Sequence, residues 1–335
     1  MRRRLLLACV TVLAVGVLLG ALAAGGTGRN SVPAPTGSGT YQGPCATDEV
    51  AEFERWRGRS ATVVVDTLDE RRWEPIADPV FWTECWGPGA PMVYGVALVP
   101  RVDGGSLQEG AAGDHDEVFT RLAAALVAGG QERAALRLGF EFNGDWFPWT
   151  AAEDPGTFAA YFRRVVEVMR AVPGAEFTFV WNPTLGTEAV PAEQAWPGAD
   201  VVDVIGLDVY DIAGVAGTYP LPEGVDEAEA DRRRAAAWEH YRRMDHGLDW
   251  WVRFAAEHDR PLVLPEWGLV ETSRSGGGDN PLFVERMAEW IEENDVVFEA
   301  YFDAEGALGD HRLRGGEYPR AADRYRALFG PEGDR

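Results

Sequence analysis

The sequence predicts an α/β fold, a single (β/α)8 TIM barrel, and three observations point there. Apolar, β-branched runs alternate with amphipathic helical stretches, the pattern of a parallel sheet covered by helices. Seven such runs are countable and an eighth fits near Thr40–Gln42; eight units in about 300 residues is the size of such a barrel. No G-x-G-x-x-G follows a strand, so the glycine-rich first turn of a doubly wound dinucleotide-binding sheet is missing.

The elements follow in chain order. Arg2, Arg3 and Arg4 precede an apolar run from Leu5 to Leu22, and Ala21–Ala23 offers small residues for cleavage, so residues 1–24 have the pattern of an export signal. The run is also just long enough to span a bilayer, which leaves an uncleaved anchor as the alternative. Residues 25–40, GGTGRNSVPAPTGSGT, lack apolar periodicity and are expected to form a disordered linker. Residues 41–330 are then one domain. Its strands are expected at Ala61–Asp66, Pro91–Val99, Ala134–Glu141, Glu176–Asn182, Val201–Tyr210, Arg260–Gly268 and Asp295–Asp303. Between them, DEVFTRLAAALVAG and DPGTFAAYFRRVVEVMRAV repeat apolar residues every three to four positions, one buried helix face each. Asp154–Pro155 suits an N-cap followed by proline in the first turn. Residues 211–248 form a polar insertion, helical in its second half, which either walls the site or is a solvated helix. Glu271–Asn280, ETSRSGGGDN, is expected to be mobile because of its three glycines.

Composition removes several function classes. All 31 basic residues are Arg, so no lysine-dependent P-loop, Schiff-base or pyridoxal-phosphate chemistry is available. A net charge of −23 argues against nucleic acid and anionic membrane surfaces as partners. Contact with a membrane is expected only through an uncleaved N-terminal segment. The five histidines show no metal-ligand spacing, and neither G-x-S-x-G nor H-E-x-x-H occurs, so no metal and no other cofactor is expected. Beyond the signal only Cys45 and Cys85 remain, and in an oxidising compartment two cysteines suggest one disulfide, with two separate buried thiols as the alternative. The expectation is a secreted, monomeric protein.

Catalytic groups of such barrels sit at the C-terminal ends of strands. Glu141 ends the fourth run and Glu266 the seventh. Two carboxylates so placed suit hydrolysis of a glycosidic bond, one as proton donor and one to attack or stabilise the anomeric carbon. Trp146, Trp149, Trp181 and Trp267 follow strands or lie in the next loops, where flat indoles stack on sugar rings. Asn143, Asp145, Asn182 and Asp208 can hydrogen-bond sugar hydroxyls, and Tyr210 can donate to a neighbouring carboxylate. A barrel that binds carbohydrate without cleaving it is the competing reading.

The motifs RLGFEFNGDWFPW, FVWNP, DVIGLDVY and LPEWG resemble, in order and spacing, those of glycoside hydrolase family 26, over roughly Tyr41–Asp303. That family consists of (β/α)8 barrels, largely β-mannanases, with some members acting on mixed-linkage glucans or xylans. The resemblance implies retaining hydrolysis of a β-glycan polysaccharide. Within it Glu141 matches the general acid/base, Glu266 the nucleophile, Trp146 a sugar-stacking residue and Tyr210 the tyrosine supporting the nucleophile. Two positions depart from the pattern. Phe140 stands where the family usually has the histidine preceding the acid/base, and EAYFD offers Tyr301 or Phe302 where the last strand often ends in Trp.

Overall fold

Each apolar run pairs in parallel with its neighbours in sequence, and the last pairs with the first, so the sheet closes into an eight-stranded barrel. The computed structural model describes residues 35–331. Its strands are β1 (Gly37–Tyr41), β2 (Val63–Thr67), β3 (Met92–Val96), β4 (Ala135–Leu138), β5 (Thr178–Trp181), β6 (Val204–Tyr210), β7 (Leu262–Gly268) and β8 (Phe298–Phe302). Around them lie α1 (Thr47–Arg57), α2 (Trp73–Ala77), α3 (Val80–Trp86), α4 (Leu107–Ala112), α5 (Asp116–Ala128) and α6 (Pro155–Arg170). The second half adds α7 (Glu227–Arg243), α8 (Leu248–Glu257), α9 (Pro281–Glu293) and α10 (Pro319–Phe329). Asp154 caps α6 as its sequence suggests, its carboxylate accepting from the Thr157 N–H at 3.0 Å. The export or anchor segment, 1–24, and residues 25–34 of the expected linker lie outside the described residues. The end of that linker is a strand instead. Gly37 and Gly39 reflect close strand approach rather than flexibility, since a Cβ on Gly39 would stand 2.2 Å from the Val63 carbonyl oxygen.

Strand parity divides the core in two. Val63, Val65, Val93, Ala135, Val180, Val204, Val263, Phe298 and Ala300 form a small cluster with no helical member, which is the barrel interior. The alternate residues, Leu136, Phe179, Ile205 and Leu264 among them, pack outward with the helices. Period-two alternation then places Arg137, Asn182, Asp208 and Tyr210 inward at the top of the barrel. β7 needs a correction to its parity to join them. Its register slips against both neighbours, Gly206/Asp208 on one side and Leu264/Trp267 on the other, so it carries one extra residue, a β-bulge at Pro265. Proline has no N–H to lose from the ladder, which suits that position. Past the bulge Glu266 faces the interior and Trp267 faces α9 and α10, against Phe283, Tyr325 and Phe329.

Cys45 and Cys85 are joined, with Cα atoms 6.0 Å apart, tying the turn after β1 to the end of α3. Asp66, fully buried at the end of β2, braces both arms of this link. It accepts from the Cys45 N–H at 2.9 Å and the Trp86 indole N–H at 2.7 Å. Burial pushes its carboxyl up to about 6 despite these donors. The bridge closes a 40-residue separation, which the chain-entropy treatment equates with about 4 kcal/mol. The Cys45→Ser, Cys85→Ser variant is therefore expected to lose 2–4 kcal/mol in urea unfolding; an unchanged midpoint would contradict this.

The Glu271–Asn280 loop is pinned, contrary to the mobility its glycines suggest. Gly276, Gly277 and Gly278 are buried, and their N–H groups donate to Glu271, Asp211 and Val270 carbonyls at 3.0–3.2 Å. A Cβ on Gly276 would stand 2.1 Å from the Val270 oxygen, and one on Gly277 2.1 Å from the Asp211 carboxylate. These glycines serve close packing. Asp211 in turn accepts from Tyr219, Tyr241 and Asn280 at 2.8–3.0 Å, so α7 and the 211–248 insertion buttress this loop. The insertion supplies no residue to the main cavity at the top of the barrel.

Candidate active site

Strand β4 ends at Leu138, three residues before Glu141, and the chain then turns through two left-handed residues, Gly139 at φ 57° and Glu141 at φ 52°. A non-glycine residue there costs about 1–3 kcal/mol and persists only where its surroundings fix it. The Glu141 N–H donating to the Asn182 carbonyl at 2.7 Å is such a constraint. The turn brings the Glu141 carboxylate into the cavity, where its Oε2 accepts from the Trp146 indole N–H at 2.8 Å. Burial raises this carboxyl to about 7, the nearby Glu266 charge adds to the shift, and Trp146 and Arg137 oppose it.

Glu266 is held from two sides. Arg137 Nη1 donates to Oε1 at 2.5 Å, and the Tyr210 hydroxyl donates to Oε2 at 3.0 Å. Arg137 is fully buried and engages all three guanidinium nitrogens, with Nη2 on Asp208 at 2.6 Å and Nε on the Asn182 side-chain oxygen at 2.7 Å. Burial disfavours its charge, but Asp208 and Glu266 more than compensate and hold its pKa above the ordinary value. Asp208 lies beside Glu266 as its register partner on β6, and burial pushes its carboxyl well up even though Arg137 opposes this. Its Oδ1 has no partner among the described residues. One guanidinium thus ties strands β4, β5, β6 and β7 together directly below the two glutamates.

The cavity has a volume of about 770 Å3, and Glu141 and Glu266 share its wall. Phe140 lines it too, its ring 5.0 Å from the Arg137 guanidinium and packed edge-on against Phe147. Tyr41 and Phe302, from the ends of β1 and β8, stack at 4.6 Å on the opposite side. Thr67 at the end of β2, Asp69, Glu70, Arg71 and Arg101 from the loops after β2 and β3, and Phe81 and Trp82 of α3 line the cavity as well. The sequence signals for Tyr41, Thr67 and Phe302 were available, because each is an inward-parity residue at a strand's C-terminal end. No three His, Cys, Asp or Glu side chains among the described residues are grouped to hold a metal.

Several expected sugar contacts prove to be structural. Trp149 is wholly buried and its indole N–H donates to the Phe140 carbonyl at 2.8 Å. Trp181 faces outward into Trp196, Trp251 and Phe254, and Trp267 faces outward with its N–H on Glu299 at 2.6 Å. Asn143 is buried, and its amide bridges Thr184 and Gly186 backbone groups at 2.9–3.3 Å. Asn182 and Asp208 are fully buried as well and serve Arg137. Trp146 and Asp145 remain exposed at the rim, and Tyr210 bonds Glu266 as expected. The Trp146 indole lies against Gly144, where a Cβ would come within 2.2 Å of the ring, so glycine is required beneath it.

The profile of glycosyl hydrolase family 26 matches residues 133–220. Endoglucanase H of Acetivibrio thermocellus is 30% identical over 105 residues, a stretch covering 29% of this chain and 12% of that protein. The β-mannanase of Bacteroides ovatus from family 26 has a similar fold, with TM-score 0.54 at 16% identity over 87% of this chain and 88% of its own. The family-26 endo-β-1,4-mannanase of Bacillus sp. JAMB-750 gives TM-score 0.55 at 17% identity over 86% and 84%, and a Bacillus subtilis mannanase 0.51 at 14% over 88% and 85%. The profile match spans the stretch that carries Arg137, Glu141, Trp146, Asp208 and Tyr210, about a quarter of the chain, on a barrel of the same architecture as these mannanases.

Proposed function

We propose that this protein is an exported retaining glycoside hydrolase that cleaves β-linkages in a neutral polysaccharide. The observation that carries the reading is the unequal setting of two carboxylates on one cavity. Glu141 is held toward its protonated form by burial, whereas Glu266 accepts hydrogen bonds from a guanidinium and a phenol. In the first step Glu141 gives its proton to the glycosidic oxygen while a Glu266 oxygen attacks the anomeric carbon, the C–O bond breaks and the leaving sugar departs as an alcohol. In the second, Glu141 takes a proton from water, whose oxygen displaces Glu266 and restores the starting configuration. The relatives named above are an endoglucanase and β-mannanases, and both names denote enzymes of neutral β-linked polymers. Phe140 in place of the family's histidine leaves the choice between them to the substrate. The N-terminal pattern and the disulfide support export.

The test is a screen of mannan, mixed-linkage glucan and xylan, followed by trapping with the 2-deoxy-2-fluoro glycoside of the sugar that is cleaved. The expected result is a covalent adduct on Glu266 by peptide mass spectrometry. Product released with inverted configuration, or an adduct elsewhere, overturns the mechanism.

A pH dependence follows from the Glu141 setting. Its acid form is needed, so kcat/KM on poor leaving groups is expected to fall as pH rises through about 7. The Trp146 N–H favours the ionised form, so Trp146→Phe is expected to move this alkaline limb to higher pH. A limb at the same pH in both proteins would contradict the assignment.

A further inference from the structure

The cavity is lined by more than the two glutamates, and part of its wall is built by a feature outside the motifs quoted above, the disulfide-tethered helix α3. Phe81 is 59% exposed, the most exposed of the large apolar side chains among the described residues, yet it lines the same continuous cavity as Glu141 and Glu266. It stands edge-on over Trp82, which is nearly buried, with centroids 5.1 Å apart. Pro44, beside Cys45, lines the cavity next to them. Both arms of the Cys45–Cys85 bridge therefore contribute a wall residue or its support, and Asp66 fixes the same two arms from below. An exposed phenyl ring held this rigidly is preorganised, so little ordering entropy is lost when something flat lies on it.

The wall between Phe81 and the glutamates is polar but internally neutralised. Arg71 pairs with Asp69 at 3.0 Å, and Arg101 pairs with Glu70 at 2.5 Å while lying 4.8 Å over the Phe147 ring. With both guanidiniums occupied, this wall offers no unpaired positive charge, in a chain of net charge −23. Carboxylate–guanidinium pairs of this kind can hydrogen-bond vicinal hydroxyls, whereas a uronic acid would find no free guanidinium and a net negative protein.

We propose that Phe81 is the platform of a distal sugar subsite in this cavity, one that stacks a neutral pyranose of the bound β-glycan and is held in place by the Cys45–Cys85 bridge. The subsite rests on the hydrolase reading for its occupant, a glycan chain continuous with the one cleaved between Glu141 and Glu266. It lies on the side of the glutamates lined by β1, β2 and β8, apart from Trp146, which is not among the cavity's lining residues.

The test uses the full chain with its disulfide intact. Hydrolysis is followed on β-1,4-linked manno- and gluco-oligosaccharides of two to six sugars, and binding of the hexaoses is followed by calorimetry. In the wild type kcat/KM is expected to climb with length. Phe81→Ala is expected to remove about five- to tenfold of the gain contributed by the distal sugar, through KM rather than kcat, and Phe81→Tyr to restore it. Reduction of the disulfide is expected to produce the same loss. A length dependence in Phe81→Ala equal to wild type overturns the platform and leaves the hydrolase reading standing. A wild type that binds hexaose without cleaving it overturns the hydrolase reading instead, with the platform then judged by the affinity of Phe81→Ala. A wild type that neither binds nor cleaves overturns both. Equal affinity for a β-1,4-linked hexamer of uronic acids overturns the neutral-sugar assignment.

Discussion

Glu266→Ala is expected to abolish turnover on every substrate, with a loss on the order of 10^6-fold in kcat, the scale of removing a covalent nucleophile. The geometry makes the effect unconditional on the leaving group. Even an activated aryl glycoside, which needs no proton from Glu141, still requires attack at the anomeric carbon. Glu141→Ala should accordingly behave differently, sparing the first step for activated substrates and slowing the second. The comparison is made by steady-state and burst kinetics on aryl glycosides of graded leaving ability. Activity of Glu266→Ala near that of the wild type would remove the basis for the mechanism.

The second large effect is on stability. Arg137→Met would leave Asp208 fully buried and Glu266 nearly so, side by side in register on β6 and β7, with no positive charge between them. Removing one member of a buried ionic group costs about 3–5 kcal/mol because the remaining charge is uncompensated. The midpoint of urea unfolding should fall accordingly at unchanged m. Adding Asp208→Asn should recover much of that stability, since an amide needs no counter-ion. Activity should stay lost, because Glu266 still lacks the donor at 2.5 Å that fixes its Oε1. A single Arg137→Met variant as stable as wild type would show that the guanidinium does not hold these strands.

Much of this was legible in the sequence, and what was not has identifiable physical causes. Continuous β-branched runs with helices between them specify a parallel barrel because both faces of each strand are covered, and all eight strands stand where they were expected to within a few residues. Glu141 and Glu266 could be placed together on one cavity because strand-end position is a counting property. Trp149, Trp181 and Trp267 were misassigned because position after a strand was allowed to outweigh parity and burial. Trp181 follows an inward Val180 and must face the helices. Arg137 was overlooked for the opposite reason: a charged residue in the middle of an apolar strand matched no motif, yet its inward parity sent it straight to the glutamates. The Gly276–Gly278 loop was misread because glycine signals both freedom and close approach, and only the neighbouring backbone distinguishes them.

The bulge in β7 makes the chemistry depend on a reading frame. Pro265 is the extra residue that lets Glu266, rather than its neighbours, face the cavity and puts Trp267 among the outer helices. The letters L-P-E-W-G do not by themselves define a nucleophile. Transplanted onto a barrel strand with regular pairing, the same five residues would point the acid into the outer packing layer and offer the substrate proline and indole. Anyone recombining barrel halves, or moving this strand between scaffolds, has to carry over the slipped pairing with β6 and β8 along with the motif. The informative unit here is three strands wide.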